Sequence, residues 1–410
     1  MDNKPKCGLL GEKLGHSYSP EIHAMLADYE YKLCECAPDE VEHFVRNGEL
    51  SGFNVTIPYK KTVAALCDEL SNMARRLGSV NTVVRRADGS LYGDNTDAFG
   101  FESLVCRSGI DVRGKKAVVL GSGGASVTVC AVLEKLGAQS VRVLSRRGGA
   151  DYGDLAPYSD AQIIVNATPV GMYPKNGAAA VDLRDFPQCE GVLDVVYNPA
   201  RTALILQAEA LGIRCESGLH MLVAQAKRSA ELFTGCAIPD SEIPRIRSAL
   251  ARNMQNIVVI GMPGSGKTTV AAALGEKLGR AVYDSDDKVF EMTGETPETI
   301  IRTYGEAEFR RAETAALAEL GKLSGAVIAT GGGVVTREEN YPLLHQNGTI
   351  VCLRRALERL PVDGRPISQS SDLAALYARR KPMYARFADV TVNNNGTLDE
   401  TLRAVMEAIG

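Results

Sequence analysis

Short apolar runs bounded by glycine, proline and polar clusters recur along this chain. Between them lie longer stretches with apolar positions at helical spacing. Residues 6–10, 30–36, 52–57 and 82–86 read as strands, and 20–27 and 38–47 as helices. Asp88-Gly89 between two apolar pairs is a hairpin turn. A helix from Ala98 leads to an apolar strand at 116–120, a glycine loop and a helix through Leu136. Strands at 140–145, 163–166 and 191–195 follow, and Gly218 opens a helix through Leu232. Residues 238–256, with Pro239, Pro244 and mixed charge, read as a helical linker. Beyond it, 257–260, 281–284, 326–330, 350–353 and 390–392 read as five buried parallel strands. Alternation of strand and helix predicts α/β architecture throughout.

Length and composition narrow the picture. At 410 residues the chain predicts two or three domains. Net charge is −4 with both signs dispersed, which disfavours a nucleic-acid partner. The ten cysteines are scattered without a C-x-x-C pair and read as small buried hydrophobes of a reducing compartment. No apolar run approaches the roughly 18 residues a membrane helix needs, and the N-terminus is polar. A cytoplasmic enzyme without membrane partners is expected; oligomeric state is not readable.

Chemistry concentrates in two glycine loops. Gly261-Met-Pro-Gly264-Ser265-Gly266-Lys267-Thr268 follows an apolar strand and precedes a helix, the context of a phosphate-cradling P-loop. Gly264, Ser265, Gly266, Lys267, Thr268 and Thr269 are candidate ATP contacts, Lys267 reaching the β- and γ-phosphates and the Thr268 hydroxyl holding Mg2+. Asp284 and Asp286 end the next strand on one face. Asp284 suits support of the metal, and Asp286 suits acceptance of a hydroxyl proton. Arg310 and Glu313 share a helix face, and Gly331-Gly332-Gly333 permits close backbone approach to a ligand.

The earlier loop, Gly121-Ser122-Gly123-Gly124-Ala125, departs from G-x-G-x-x-G at its sixth position, Ser126. The next strand ends in Ser145-Arg146-Arg147, and guanidiniums there suit a 2′-phosphate, so NADP(H) is expected rather than NAD(H). Upstream, Ser17-Tyr-Ser19-Pro20, Asn54-Val-Thr56-Ile-Pro58-Tyr-Lys60, Asn81-Thr82 and Gly93-Asp94-Asn95-Thr96-Asp97 gather hydroxyls, amides, a lysine and carboxylates. Asn54 and Thr56 are expected to face one way along a strand. The set suits a polyhydroxylated anion, although turn chemistry uses the same residues. His16, His23 and His220 read as structural.

These motifs, with Val80-Asn81-Thr82, Asn166-Ala-Thr168-Pro-Val-Gly171-Met172, Tyr197-Asn198-Pro199 and Gly218-Leu-His-Met221-Leu-Val-Ala-Gln225-Ala226, make residues 1 to about 240 resemble shikimate dehydrogenase. The resemblance implies that Ser17, Ser19, Asn54, Thr56, Asn81, Asp97, Tyr197 and Gln225 contact shikimate. Lys60 and Asp97 would be the catalytic pair, and Thr168, Met172 and Gly218 would join the cofactor site. Ser122 and Ser145 depart from the commonest family forms. A lysine ammonium beside the nascent alkoxide would donate the proton that accompanies hydride transfer.

The second half resembles shikimate kinase, through the P-loop, Asp284-Ser-Asp286, Phe309-Arg310-Arg311-x-Glu313, the triple glycine, Gly364-Arg365-Pro366 and Arg380-Lys-Pro382-Met-Tyr384. The resemblance implies that Asp286, Arg310, Gly332, Gly333 and Arg380 hold shikimate, the two arginines on its carboxylate. Lys267, Thr268 and Arg365 would serve the nucleotide phosphates, Arg365 catalytically. Arg359 is a candidate adenine contact beside a short lid. The fold expected is an N-terminal α/β substrate domain (1–98 and 218–245), a Rossmann NADP domain (99–217), a linker (246–254) and a P-loop kinase domain (255–410). The function expected is reduction of 3-dehydroshikimate to shikimate, then phosphorylation to shikimate 3-phosphate. The alternative is a non-catalytic sensor of quinate or shikimate.

Overall fold

The computed structural model describes residues 4–15, 17–146, 151–360 and 373–410. They form two compact units. The first comprises Met1–Gly171, Ala178–Tyr197 and Gln207–Ala249, the second Met172–Gly177, Asn198–Leu206 and Leu250–Gly410.

The first unit holds two sheets. One is mixed, in the order Glu30–Glu35, Lys6–Gly11, Gly52–Val55, Thr82–Arg85, Leu91–Asp94, Glu69–Leu70. Lys6–Gly11 pairs parallel to both neighbours, and the Asp88-Gly89 turn closes an antiparallel hairpin with Gly89 at φ +87°. The strand expected over 52–57 stops at Val55. Pro58 cannot continue a ladder, and Ile57 is left 77% exposed. The other sheet is wholly parallel, in the order Arg214–Glu216, Gly191–Asp194, Ile163–Asn166, Lys116–Leu120, Ser140–Leu144. Its central strands are fully buried, consistent with their unbroken valine and isoleucine runs.

Helix Leu219–Thr234 returns to the mixed sheet. Phe233 lies on Gly52, where a Cβ would meet its ring at 2.3 Å. The same helix packs closely on Asp97–Ser108, with the Met221 carbonyl 2.8 Å from where a Cβ on Gly100 would sit. Both glycines are therefore places where backbone replaces side chain so that elements can touch.

In the second unit five parallel strands run Val282–Asp284, Val327–Ala329, Asn256–Gly261, Gly348–Arg354, Val390–Asn393. Asn256–Gly261 is central and buried along its whole length. Helices Lys60–Leu66, Asn72–Leu77 and Asn340–His345 and strand Arg214–Glu216 are additions to the elements expected from sequence. They are too short for periodicity to mark.

Candidate active sites

Lys60 and Asp97, 37 positions apart, meet because each opens a helix, Lys60–Leu66 and Asp97–Ser108. Lys60 Nζ donates to Asp97 Oδ2 at 2.5 Å, and Asn81 Nδ2 donates to Asp97 Oδ1 at 2.9 Å. Both charged side chains keep partial access to solvent, 28% and 19%. The pair is open on one side, as a proton donor to an incoming ligand must be.

Ser17 and Ser19 form a turn in which the Ser19 amide donates to Ser17 Oγ at 3.2 Å, and the Ser19 side chain hydrogen-bonds Tyr31. Thr56 lies just past the strand end, half-buried. Tyr197 packs edge-on against Tyr18 with ring centroids 6.1 Å apart, and burial pushes its hydroxyl pKa up. Gln225 lies on the helix packed against Asp97–Ser108, its Nε2 donating to the Leu222 carbonyl.

Asn54 departs from expectation. It is 6% exposed, its Oδ1 accepts from Tyr31 Oη at 2.7 Å, and its Nδ2 donates to Ser229 Oγ, Thr82 Oγ1 and the Asn81 carbonyl. The strand ends before Thr56, so the shared face expected for Asn54 and Thr56 is not formed. Both polar atoms of Asn54 are thus engaged inside the protein. His23 is structural, as read: buried, bonded to Tyr29 Oη and stacked on Tyr31, with burial lowering its pKa to about 3. His220, held by Ser103, is lowered to about 4 by burial and by nearby Arg107 and Arg247. His16 lies outside the described residues.

The glycine loop crosses the end of Lys116–Leu120. Gly121 sits at φ +103°, and a Cβ there would meet Thr168 Cγ2 at 2.7 Å. Thr168 is fixed by Asn166, whose Oδ1 accepts from both its amide and its hydroxyl. Around Gly123 and Gly124 a Cβ would meet nothing within 4 Å, so the space before helix Gly124–Lys135 is free for a ligand at the positive end of the helix dipole. Ser122 and Ser145 share a hydroxyl hydrogen bond of 2.7 Å, and Ala125 belongs to the first turn of that helix. Arg146 is exposed. Tyr152, which belongs to no motif, hydrogen-bonds the Gly121 backbone and feels the charge of Arg146. Gly218 is a close approach, since a Cβ there would lie 2.1 Å from the Val195 carbonyl. Met172 is 44% exposed, and its segment groups with the second unit. Arg147 lies outside the described residues.

The P-loop follows the central strand of the second unit. Gly264 and Gly266 stand at φ +82° and +91°, which only glycine adopts without strain. Lys267 Nζ, opening helix Lys267–Leu278, donates to the Gly261 and Met262 carbonyls at 3.1 Å. Thr269 lies in the first turn of that helix. Asn394, unremarked in the sequence, braces the loop by donating to the Ser265 carbonyl at 2.6 Å. Thr268 Oγ1 lies 3.1 Å from Asp284 Oδ2, and the other Asp284 oxygen caps helix Ser285–Thr293 at Asp286 N. A hydroxyl and a carboxylate oxygen so placed suit a hard divalent cation such as Mg2+. Among the described residues no three His, Cys, Asp or Glu cluster as a metal cage.

Opposite the P-loop, Asp286 Oδ1 and Glu313 Oε1 are buried without hydrogen-bond partners. Burial pushes the Asp286 pKa up to about 6, with Asp284 and Glu313 adding to the rise and Lys267 and Arg310 opposing it. Arg310 donates to Glu313 Oε2 at 2.7 Å and to Glu306. Arg380, 1% exposed, donates to the Gly332 carbonyl at 3.1 Å and has no carboxylate within ion-pair distance among the described residues. Tyr384 Oη donates to the same carbonyl. Arg380, a buried guanidinium without a carboxylate partner, converges with Arg310 on a glycine turn, an arrangement that suits an anion. A Cβ at Gly333 would lie 2.0 Å from Arg310 Nη2. Gly333→Ala must displace that guanidinium. The KM for shikimate is therefore expected to rise about tenfold to a hundredfold, the worth of a charge-assisted hydrogen bond, with ATP affinity unchanged. Steady-state kinetics with each substrate varied checks this. Arg359 is exposed and bonded to the Asn395 carbonyl, while Arg365 and the lid lie outside the described residues.

Comparison with known proteins now separates the two units. A shikimate dehydrogenase of Clostridium perfringens (strain SM101 / Type A) is 34% identical over 255 residues, 57% of this chain and 94% of that protein. The enzyme of Methanopyrus kandleri is 36% identical over 264 residues, covering 57% and 91%. The chain belongs to the shikimate dehydrogenase family. The family's substrate-binding-domain model matches residues 9–83, and the shikimate kinase model matches residues 263–410. Two catalytic domains of the shikimate pathway thus share one polypeptide. Among solved structures, a chorismate mutase/shikimate 5-dehydrogenase fusion from Clostridium acetobutylicum matches with TM-score 0.57 at 33% identity. It spans 60% of this chain and 97% of that one. The Thermus thermophilus shikimate 5-dehydrogenase, in complex with NADP(H) and shikimate, matches with TM-score 0.55 at 30% identity, spanning 60% and 99%.

Proposed function

We propose that the chain reduces 3-dehydroshikimate to shikimate with NADPH and then phosphorylates shikimate at its 3-hydroxyl with MgATP. The observation that carries the first step is the solvent-accessible Lys60–Asp97 ion pair beside Asn81. Bound NADPH would supply the hydride. Lys60 then stabilises the developing alkoxide and protonates it, while Asp97 orients the ammonium. Ser17, Ser19, Thr56, Asn81, Tyr197 and Gln225 hold the ring hydroxyls and carboxylate. Gly121–Ala125 and Gly218 shape the cofactor cleft beside Thr168, and Arg146 meets the 2′-phosphate. The NADP(+) dehydrogenases named among the relatives agree with that preference.

For the second step, Arg310 and Arg380 clamp the substrate carboxylate, Gly332 and Gly333 let it approach, and Asp286 accepts the hydroxyl proton. ATP supplies the phosphoryl group along the P-loop, where Lys267 neutralises phosphate charge. Thr268 and Asp284 would hold Mg2+. The anion site is what distinguishes this pocket from a nucleoside monophosphate kinase, because it addresses a carboxylate of a small acid. A non-catalytic sensor would not need Lys60, Asp97, Lys267 and Asp286 in reacting positions. We also assign the substrate domain to 1–98 with 218–245, the cofactor domain to 99–217 and the kinase to 255–410, in the cytoplasm.

Two measurements test this reading half by half. NADPH should be oxidised by 3-dehydroshikimate at least about tenfold more efficiently than NADH, given the discrimination available to a charge-assisted contact. Equal efficiency would contradict the Arg146 assignment. In the kinase half, Asp286 must be ionised to accept a proton, and its pKa stands near 6. Kinase kcat/KM is expected to fall about tenfold per unit below about pH 6 and to level off above it. A profile flat through that range would remove Asp286 from the role.

A further inference from the structure

Behind the Lys60–Asp97 pair lies a buried hydroxyl cluster whose parts come from four separate segments. Thr82, Thr96 and Ser229 are each 1% exposed or less. Thr82 Oγ1 lies 2.8 Å from Ser229 Oγ and 3.2 Å from Thr96 Oγ1, and Thr96 Oγ1 lies 3.0 Å from Ser229 Oγ. Asn54 Nδ2 donates to Ser229 Oγ at 2.8 Å and to Thr82 Oγ1 at 3.0 Å. The cluster ends on Asn81. Its Oδ1 accepts from Thr96 N at 2.7 Å and lies 3.1 and 3.2 Å from the Thr96 and Thr82 hydroxyls.

The protons can be assigned. The Ser229 hydroxyl donates to the Gln225 carbonyl at 3.0 Å, one turn back on its helix. Ser229 Oγ is then an acceptor. The two threonine protons have Ser229 Oγ, Asn81 Oδ1 and each other's oxygens within reach, and both outer acceptors are served when one proton goes to each. With donors crowding Asn81 Oδ1, its amide cannot flip, so Nδ2 must face Asp97 Oδ1. Asn81 in turn leaves Asp97 Oδ2 to Lys60.

We infer that Ser229, Thr82 and Thr96 are positioning residues for the reduction. They lock the Asn81 amide, which sets the Asp97 carboxylate and through it the Lys60 ammonium. They also join the segment bearing Gln225 to that pair. The inference rests on Lys60 and Asp97 being the reacting pair. None of the three hydroxyls reaches ligand, since all are buried. Their loss acts on turnover through geometry and leaves cofactor affinity alone.

The test uses the whole chain with four substitutions: Thr82→Val, Thr82→Ser, Ser229→Ala and Lys60→Met. Thr82→Val removes the hydroxyl at nearly constant shape, and Thr82→Ser keeps it. Thr82→Val and Ser229→Ala are expected to lower dehydrogenase kcat about tenfold to a hundredfold, as displacement of a catalytic group from its working geometry does. Thr82→Ser should stay within about twofold of the parent. KM for NADPH should not change in any of them, which reports that the dehydrogenase unit is folded, and kinase turnover of the same chain should not change either. Parent-like kcat in Thr82→Val and Ser229→Ala would overturn the inference. So would equal loss in Thr82→Val and Thr82→Ser, or loss accompanied by a raised KM for NADPH. Lys60→Met separates the two levels: if it retains turnover, the reading of the pair itself fails.

Discussion

Lys60→Met is expected to lower dehydrogenase turnover by about a hundredfold to ten-thousandfold, the usual range for a general acid, with shikimate still bound and kinase turnover unchanged. Methionine keeps the length of the side chain and removes its N–H donors. The Asp97 carboxylate would lose the ammonium at 2.5 Å and keep only the Asn81 amide. Helix Lys60–Leu66 should survive, because its anchorage comes from Val63 and Ala64, both buried, and not from the lysine. Rates of NADPH oxidation by 3-dehydroshikimate, together with shikimate binding by calorimetry, check this. Turnover within a few-fold of the parent would mean that another group delivers the proton.

Asp286→Asn is expected to lower kinase turnover by at least about a hundredfold and leave the dehydrogenase unaffected. The substitution preserves shape, so the Asp284 cap on the residue-286 amide remains. The change is chemical. An amide cannot accept the hydroxyl proton, and its NH2 donors would confront the buried Glu313 and Asp284 carboxylates that now help raise the Asp286 pKa. The acid limb of the pH profile near pH 6 should disappear with the carboxylate, because its titration is the cause of that limb. A variant that keeps both its rate and its acid limb would place the base elsewhere. Measuring ADP release against pH for parent and variant distinguishes these outcomes.

How far the sequence foretold this molecule can be judged from particular residues. The parallel sheets were legible because their strands are short valine and isoleucine runs between glycine turns, as in Asn256–Gly261 and Ile163–Asn166. The P-loop, with Thr268 near Asp284, follows from spacing, since both stand at the carboxyl ends of parallel strands of one sheet. The meeting of Lys60 with Asp97 followed only from family resemblance, because no local rule joins positions 37 residues apart. The internal partners of Asn54 were not legible, because a one-strand pattern gives the face of a side chain and not what it bonds. Tyr31, Thr82 and Ser229, from three other elements, claim its amide. Glu306, Asn394 and Tyr152 carried no motif, yet they brace Arg310, the P-loop and the Gly121 loop. Such supports are defined by tertiary contact, and spacing along a chain does not record it.

The most direct test supplies the purified chain with 3-dehydroshikimate, NADPH and MgATP together and follows both nucleotides and the phosphate esters by phosphorus NMR. The account predicts that NADPH is consumed and that shikimate 3-phosphate accumulates to match, with shikimate as the intermediate when ATP is withheld. Oxidation of NADPH with no phosphate ester formed would contradict the kinase assignment. Ester formed from added shikimate, with no NADPH oxidised by 3-dehydroshikimate, would contradict the dehydrogenase assignment.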